Sequence, residues 1–172
     1  MRSRFYTEKE ETANTISHAL GILLGFAGGY FLLSKAINGG DNLAVISVIL
    51  YLFGMLASYF TSTFYHNCNP EKENKKQLLR KLDHSAIYFH IAGTYAPFTL
   101  VVLRNEGAWG WALFTFIWLA AIGGLFMSFK RLKDHSNLET ICFVLMGAAI
   151  LVVFKPLYDI MSETGCIGSL YW

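Results

Sequence analysis

Five long runs of apolar residues, each broken only by short polar segments, dominate this chain. They occupy residues 15–34, 43–65, 83–103, 108–129 and 138–157. At a rise of about 1.5 Å per residue, some twenty helical residues cross roughly 30 Å of hydrocarbon. The pattern predicts an all-α, polytopic transmembrane helix bundle forming a single domain over residues 1–172. The fifth run is interrupted near its end by Lys155-Pro156, where the long Lys155 side chain can reach the interface. The connections, residues 35–42, 66–82, 104–107 and 130–137, are short, and Gly39-Gly40-Asp41-Asn42 and Asn105-Glu106-Gly107 are turn chemistry. A sixth apolar run opens at about residue 165 and stops at Trp172, after some two turns. This ending reads as that of a truncated product.

Composition sharpens the class. Charged residues make up 15% of the chain, against about 25% in soluble domains, and mean hydropathy is +0.40. A net charge of +2 gives no footprint for nucleic acid. Cys68, Cys142 and Cys166 are odd in number and lack CxxC spacing, so neither a disulfide framework nor a thiolate metal site is supported. Residues 1–14 mix Arg2, Arg4 and Lys9 with Glu8, Glu10 and Glu11, and no small-residue cleavage pattern follows; the first run is expected to stay in the membrane. Lysine and arginine are asymmetric. Eleven lie in the N-terminal segment and the second and fourth connections, and only Lys35, Arg104 and Lys155 on the other side. The positive-inside rule then predicts a cytoplasmic N-terminus.

Within these apolar runs a few polar residues stand out. Ser62-Thr-Phe-Tyr-His66 closes the second, with Ser62 and His66 one turn apart on a single helix face. Leu82-Asp83-His84 opens the third at the same side of the membrane. Glu11, Asn14 and His18, spaced i, i+3, i+7, share one face of the first. Ionisable groups cost roughly 2.5 kcal/mol or more at the bilayer centre, so those retained usually face a bundle interior and serve a function. Three helices are thus predicted to turn polar faces to one depth. Each residue also has a plainer reading. His66 is either a metal ligand or an interfacial histidine; Asp83 either belongs to a site or caps the third helix. Ser62 either joins them or bonds back to its own helix. Glu11, Asn14 and His18 either support a pocket or form a water-facing first turn and a half. His84 is rotated about 100° from Asp83 and reads as an interface residue. His90, two turns further on, either extends a polar path or bonds a neighbouring helix, and His135 reads as solvated. Gly21, Gly25, Gly28, Gly29 and Gly93 are expected to permit close helix approach, Pro97 to kink the third helix, and Tyr30, Trp109, Trp111 and Trp172 to mark interfacial belts.

Taken in order, Glu11-Thr-Ala-Asn14-Thr-Ile-Ser-His18-Ala-Leu-Gly21, Ser62-Thr-Phe-Tyr-His66, Lys81-Leu-Asp83-His84-Ser85-Ala-Ile87-Tyr88 and Ile91-Ala-Gly93-Thr94-Tyr95-Ala-Pro97-Phe98 resemble the hemolysin III family, within the progestin and adipoQ (adiponectin) receptor superfamily. The resemblance implies a seven-helix bundle in the plasma membrane and a zinc ion near the cytoplasmic leaflet. It implies His66 as one ligand, two further histidines from a HxxxH motif in the last helix, Asp83 holding the metal-bound water, and Ser62 beside them. This sequence contains no HxxxH. The function so implied is a zinc-dependent membrane hydrolase, acting on a lipid substrate such as a ceramide-like amide, or a receptor-like relative of one. The alternatives are a pore-forming, cytolytic membrane protein, as the family name has it, or an inactive truncated remnant. Membrane lipids are the expected partners.

Overall fold

A computed structural model of the chain describes residues 6–69, 71–130 and 137–160. Five helices long and apolar enough to cross a membrane account for nearly all of them. Helix α1 spans Glu8–Asn38, α2 Asn42–His66, α3 Glu73–Pro97, α4 Trp109–Lys130 and α5 Asn137–Ala148. A π-helical turn, Phe98–Val102, prolongs α3, and a 3₁₀ segment, Ala149–Val153, prolongs α5. The all-α polytopic bundle is therefore what the chain forms. The start of a sixth span, Trp172 and His135 lie outside the described residues.

Two helices begin earlier than the apolar runs predict, for local reasons. Thr7 caps α1 through a reciprocal pair: its hydroxyl accepts from the Glu10 N–H at 3.3 Å, and the Glu10 carboxylate accepts from the Thr7 N–H at 2.6 Å. Glu8, Glu10 and Glu11 then sit in the first turn, where acidic groups complement the helix dipole. Helix α3 starts at Glu73 rather than at residue 83. The segment Glu73-Asn-Lys-Lys-Gln-Leu-Leu-Arg-Lys-Leu82 is rich in good helix formers and continues the helix out of the apolar run. The loop joining α2 to α3 shrinks accordingly.

Helix α3 is the hub, packing against α2, α4 and α5, while α1 lies on α2. Its buried Tyr88, Ala92 and Tyr95 meet Leu113, Ile117 and Ala121 of α4 and Met146 of α5. Close approach of α2 and α3 depends on two glycines. A Cβ at Gly54 would lie 2.3 Å from the Phe89 carbonyl oxygen, and one at Gly93 would lie 2.8 Å from that of Leu50. On α1, Gly21, Gly25 and Gly29 face Tyr59, Met55 with Leu56, and Leu52 of α2, but no described residue comes within 4 Å of a Cβ at Gly28. Within the described residues Gly28 supports no close helix approach, because that position points off the α1–α2 seam. Pro97 changes the winding: beyond it the Leu103 N–H reaches back five residues to the Phe98 carbonyl, at 2.8 Å. The break in α5 has a visible cause. The Tyr95 phenol lies 2.7 Å from the Met146 carbonyl and 2.9 Å from that of Gly147, and accepts from the Ile150 N–H at 3.0 Å. At the opposite end of the bundle from Glu11, Arg104 and Asp41 form an ion pair at 2.5 Å that joins the α1–α2 and α3–α4 connections.

Candidate functional site

Ser62, one turn before the end of α2, donates its hydroxyl proton to Asp83 Oδ1. Both side chains are buried. The plainer readings of these two residues fail on geometry. Asp83 stands nearly three turns inside α3, whose N-cap is Lys72, so it caps nothing. Thr61 and Thr63 do bond back to carbonyls of their own helix, at 2.8 and 2.7 Å, whereas Ser62 reaches across to α3. An aspartate at this depth is stable because a hydroxyl from the neighbouring helix replaces part of its lost hydration.

One turn further along α2, His66 turns away from lipid, with its side chain only 9% exposed. Its Nδ1 lies 2.6 Å from Glu11 Oε2, and Glu11 Oε1 accepts from Lys76 Nζ, also at 2.6 Å. One carboxylate thus joins α1, α2 and the extension of α3. Lys76 lies 5.0 Å above the Tyr65 ring. His18 stacks on His66 with centroids 5.8 Å apart and planes 8° from parallel. Tyr59 lies 6.1 Å from His18 on one side and 5.9 Å from His90 on the other, so a strip of rings leads from the site toward the middle of the bundle.

Glu11 and His18 both contact His66, and Ser62 contacts Asp83. Asn14 is half-buried, and among the described residues its side chain makes no hydrogen bond. His66 and Asp83 share this end of the bundle without bonding directly. His84, as its rotation requires, faces elsewhere: its Nδ1 lies 2.8 Å from Glu139 Oε2 of α5, and Ser128 of α4 donates to Glu139 Oε1 at 3.0 Å. Three participants escaped the sequence reading. Lys76 falls in the polar stretch between two apolar runs, which hydropathy alone makes a loop, although it lies seven residues, two turns, from Asp83. Tyr59 looked like ordinary span aromatic content. Glu139, a single acid in the first turn of α5, carried no motif.

The chemistry of the donor set can be tested against a zinc ion. A metal-binding histidine commonly gives its other ring N–H to a carboxylate, and Glu11 holds Nδ1 of His66 in that way, leaving Nε2. A buried carboxylate stands nearby in Asp83. Zinc needs at least three protein ligands, and among the described residues no three histidine, cysteine or acidic side chains converge to supply them. The fit is to one ligand and one supporting carboxylate, and the described residues do not complete a zinc centre.

Comparison with known proteins bears on the whole chain. The family model described as haemolysin-III related matches residues 6–172. The chain belongs to the haemolysin III-related family. It is 39% identical over 157 residues to Hemolysin-3 of Bacillus cereus, covering 91% of this chain and 70% of that protein. It is 37% identical over 160 residues to the Hemolysin-3 homolog of Bacillus subtilis (strain 168), covering 93% and 73% respectively. The monocyte to macrophage differentiation factor of Homo sapiens is 28% identical over 167 residues, 94% of this chain and 68% of its own length. With five apolar helices, this haemolysin III-related chain is a multi-pass membrane protein.

Proposed function

We propose that this chain carries part of a zinc-dependent hydrolase site for a lipid amide, opening at the cytoplasmic side of the plasma membrane where α1 begins. The observation that supports it is the buried Ser62–Asp83 hydrogen bond beside a histidine oriented by Glu11. In this reading His66 is one zinc ligand through Nε2, with Glu11 fixing the ring and Lys76 holding Glu11. Ser62 occupies one oxygen of Asp83 and so turns the other toward an incoming water, whose proton the carboxylate accepts. Glu11 and His18 close the pocket from the α1 side. Zinc, when bound, polarises a carbonyl and acidifies its water to a pKa of about 7.

Metal analysis of purified protein beside His66→Ala tests the ligand. Zinc should fall in the variant, and equal zinc in both removes His66 from the set. Asp83→Asn should retain the metal while abolishing hydrolysis of a ceramide-like amide. A reporter in the loop joining α2 to α3 should be cytoplasmic. The relatives' name suggests cytolysis as a second reading, which Ser62, His66 and Asp83, gathered at one end of the bundle, support poorly. Dye release from liposomes that ignores His66→Ala would favour it.

A further inference from the structure

The helical stretch Glu73–Val102 has 30 residues, about 45 Å at 1.5 Å per residue. A hydrocarbon core of about 30 Å leaves roughly ten residues outside it. Phe98–Val102 carries no charge and its one polar residue, Thr99, is buried, so the part left outside is the other end, which holds Lys75, Lys76, Arg80 and Lys81, with Lys72 as N-cap. These cations are not equivalent. Lys76 is held by Glu11 and Lys81 lies 5.9 Å above the Phe129 ring. Lys72 and Lys75 are exposed, and among the described residues their ammonium groups meet no carboxylate.

Lys75, Leu78, Leu82 and Phe89 follow one another at intervals of three, four and seven, and so lie along one strip of α3. Leu78 is 50% exposed and Leu82 37%. Phe89 packs between Phe53 of α2, at 6.0 Å, and Trp118 of α4, at 6.2 Å. The strip therefore runs between α2 and α4, apolar where it enters the hydrocarbon and cationic where it leaves.

We propose that this strip binds an anionic phospholipid, its phosphate drawn to Lys75 and Lys72, its glycerol and ester region against Leu78 and Leu82, and an acyl chain continuing along Phe89. Charge complementarity selects the headgroup: two unneutralised ammonium groups favour a net negative lipid over a zwitterionic one, whose own cation repels them. Exposed leucines at the membrane boundary select a lipid over a soluble anion.

Native mass spectrometry of the full chain in detergent, titrated with phosphatidylglycerol or phosphatidylcholine of matched chain length, tests the proposal. Wild type should prefer phosphatidylglycerol. Lys72→Gln with Lys75→Gln should lower phosphatidylglycerol affinity about thirty-fold, from roughly 1 kcal/mol per basic residue near a charged headgroup, and leave phosphatidylcholine unchanged. Lys72→Arg with Lys75→Arg should retain the preference. Leu78→Ser with Leu82→Ser should weaken both lipids alike. Any of four results overturns it: equal binding of the two lipids by wild type; an unchanged affinity in the glutamine pair; an equal loss in Lys35→Gln, at the other end of the bundle; or displacement of phosphatidylglycerol by inorganic phosphate at the same concentration.

Discussion

Replacing Gly54 by alanine perturbs the seam on which the candidate site rests. A methyl group there would lie 2.3 Å from the Phe89 carbonyl oxygen and 3.0 Å from the His90 Cα, both backbone atoms that no rotamer change removes. Ordinary contact requires about 3.5 Å, so α2 and α3 must separate by about 1 Å. Overpacking of this kind costs about 1–3 kcal/mol, offset by at most about 1 kcal/mol from the better helix propensity of alanine. The net expectation is a loss of about 1–2 kcal/mol. Gly28 is the internal control, because among the described residues nothing lies within 4 Å of a Cβ built there. Gly28→Ala should be neutral or gain up to about 1 kcal/mol. Both variants, unfolded thermally in the same detergent, give the comparison directly. Because Ser62 follows Gly54 by about two turns, Gly54→Ala should also loosen the Ser62–Asp83 contact and any activity that depends on it. A Gly54→Ala protein as stable as Gly28→Ala would refute the close approach of the two helices.

The buried Glu139 offers a second test. Glu139→Ala strands the Ser128 hydroxyl, which is only 2% exposed, and should cost about 1–3 kcal/mol; Ser128→Ala added to it should recover part of that loss, and strict additivity in a double-mutant cycle would contradict the contact. Ser62→Ala leaves Asp83 buried without its donor and should destabilise by a similar 1–3 kcal/mol, whereas Thr61→Val, whose hydroxyl bonds only its own helix, should matter far less in the same melt. At the opposite end, burial tends to raise the Asp41 carboxyl, but the Arg104 hydrogen bond and charge and the Leu43 N–H outweigh it and hold the group below the usual carboxylate range. A depressed acid stabilises above its ordinary titration range and loses that contribution as pH falls through the lowered value, so Arg104→Gln should remove the part of the acid-side stability loss that Asp41 supplies, and an unchanged pH profile would show the pair to be inert.

The bundle was legible because hydrocarbon thickness imposes run lengths that no other solvent does. The helix ends were less so. Hydropathy reports where lipid stops, while α3 continues to Glu73 because lysine, leucine and glutamine sustain a helix in water as well. That continuation is why the capping reading of Asp83 looked reasonable in the sequence and fails in the fold. The shared face of Ser62 and His66, and that of Glu11 and His18, followed from a period of 3.6 residues alone. The direct Glu11–His66 and Glu11–Lys76 contacts did not, since they depend on how three helices cross. Glu139 could be suspected as an acid inside an apolar run, but its partners lie 55 and 11 positions away and only packing brings them together.

Asp83 and His84 are neighbours in sequence yet engage different clefts, one bonded to α2 and the other to α5. At that depth α3 is keyed on two sides, so twisting it to relieve one bond strains the second. A rotation of α3 about its own axis at that depth would therefore shift both contacts together, the one to α2 and the one to α5.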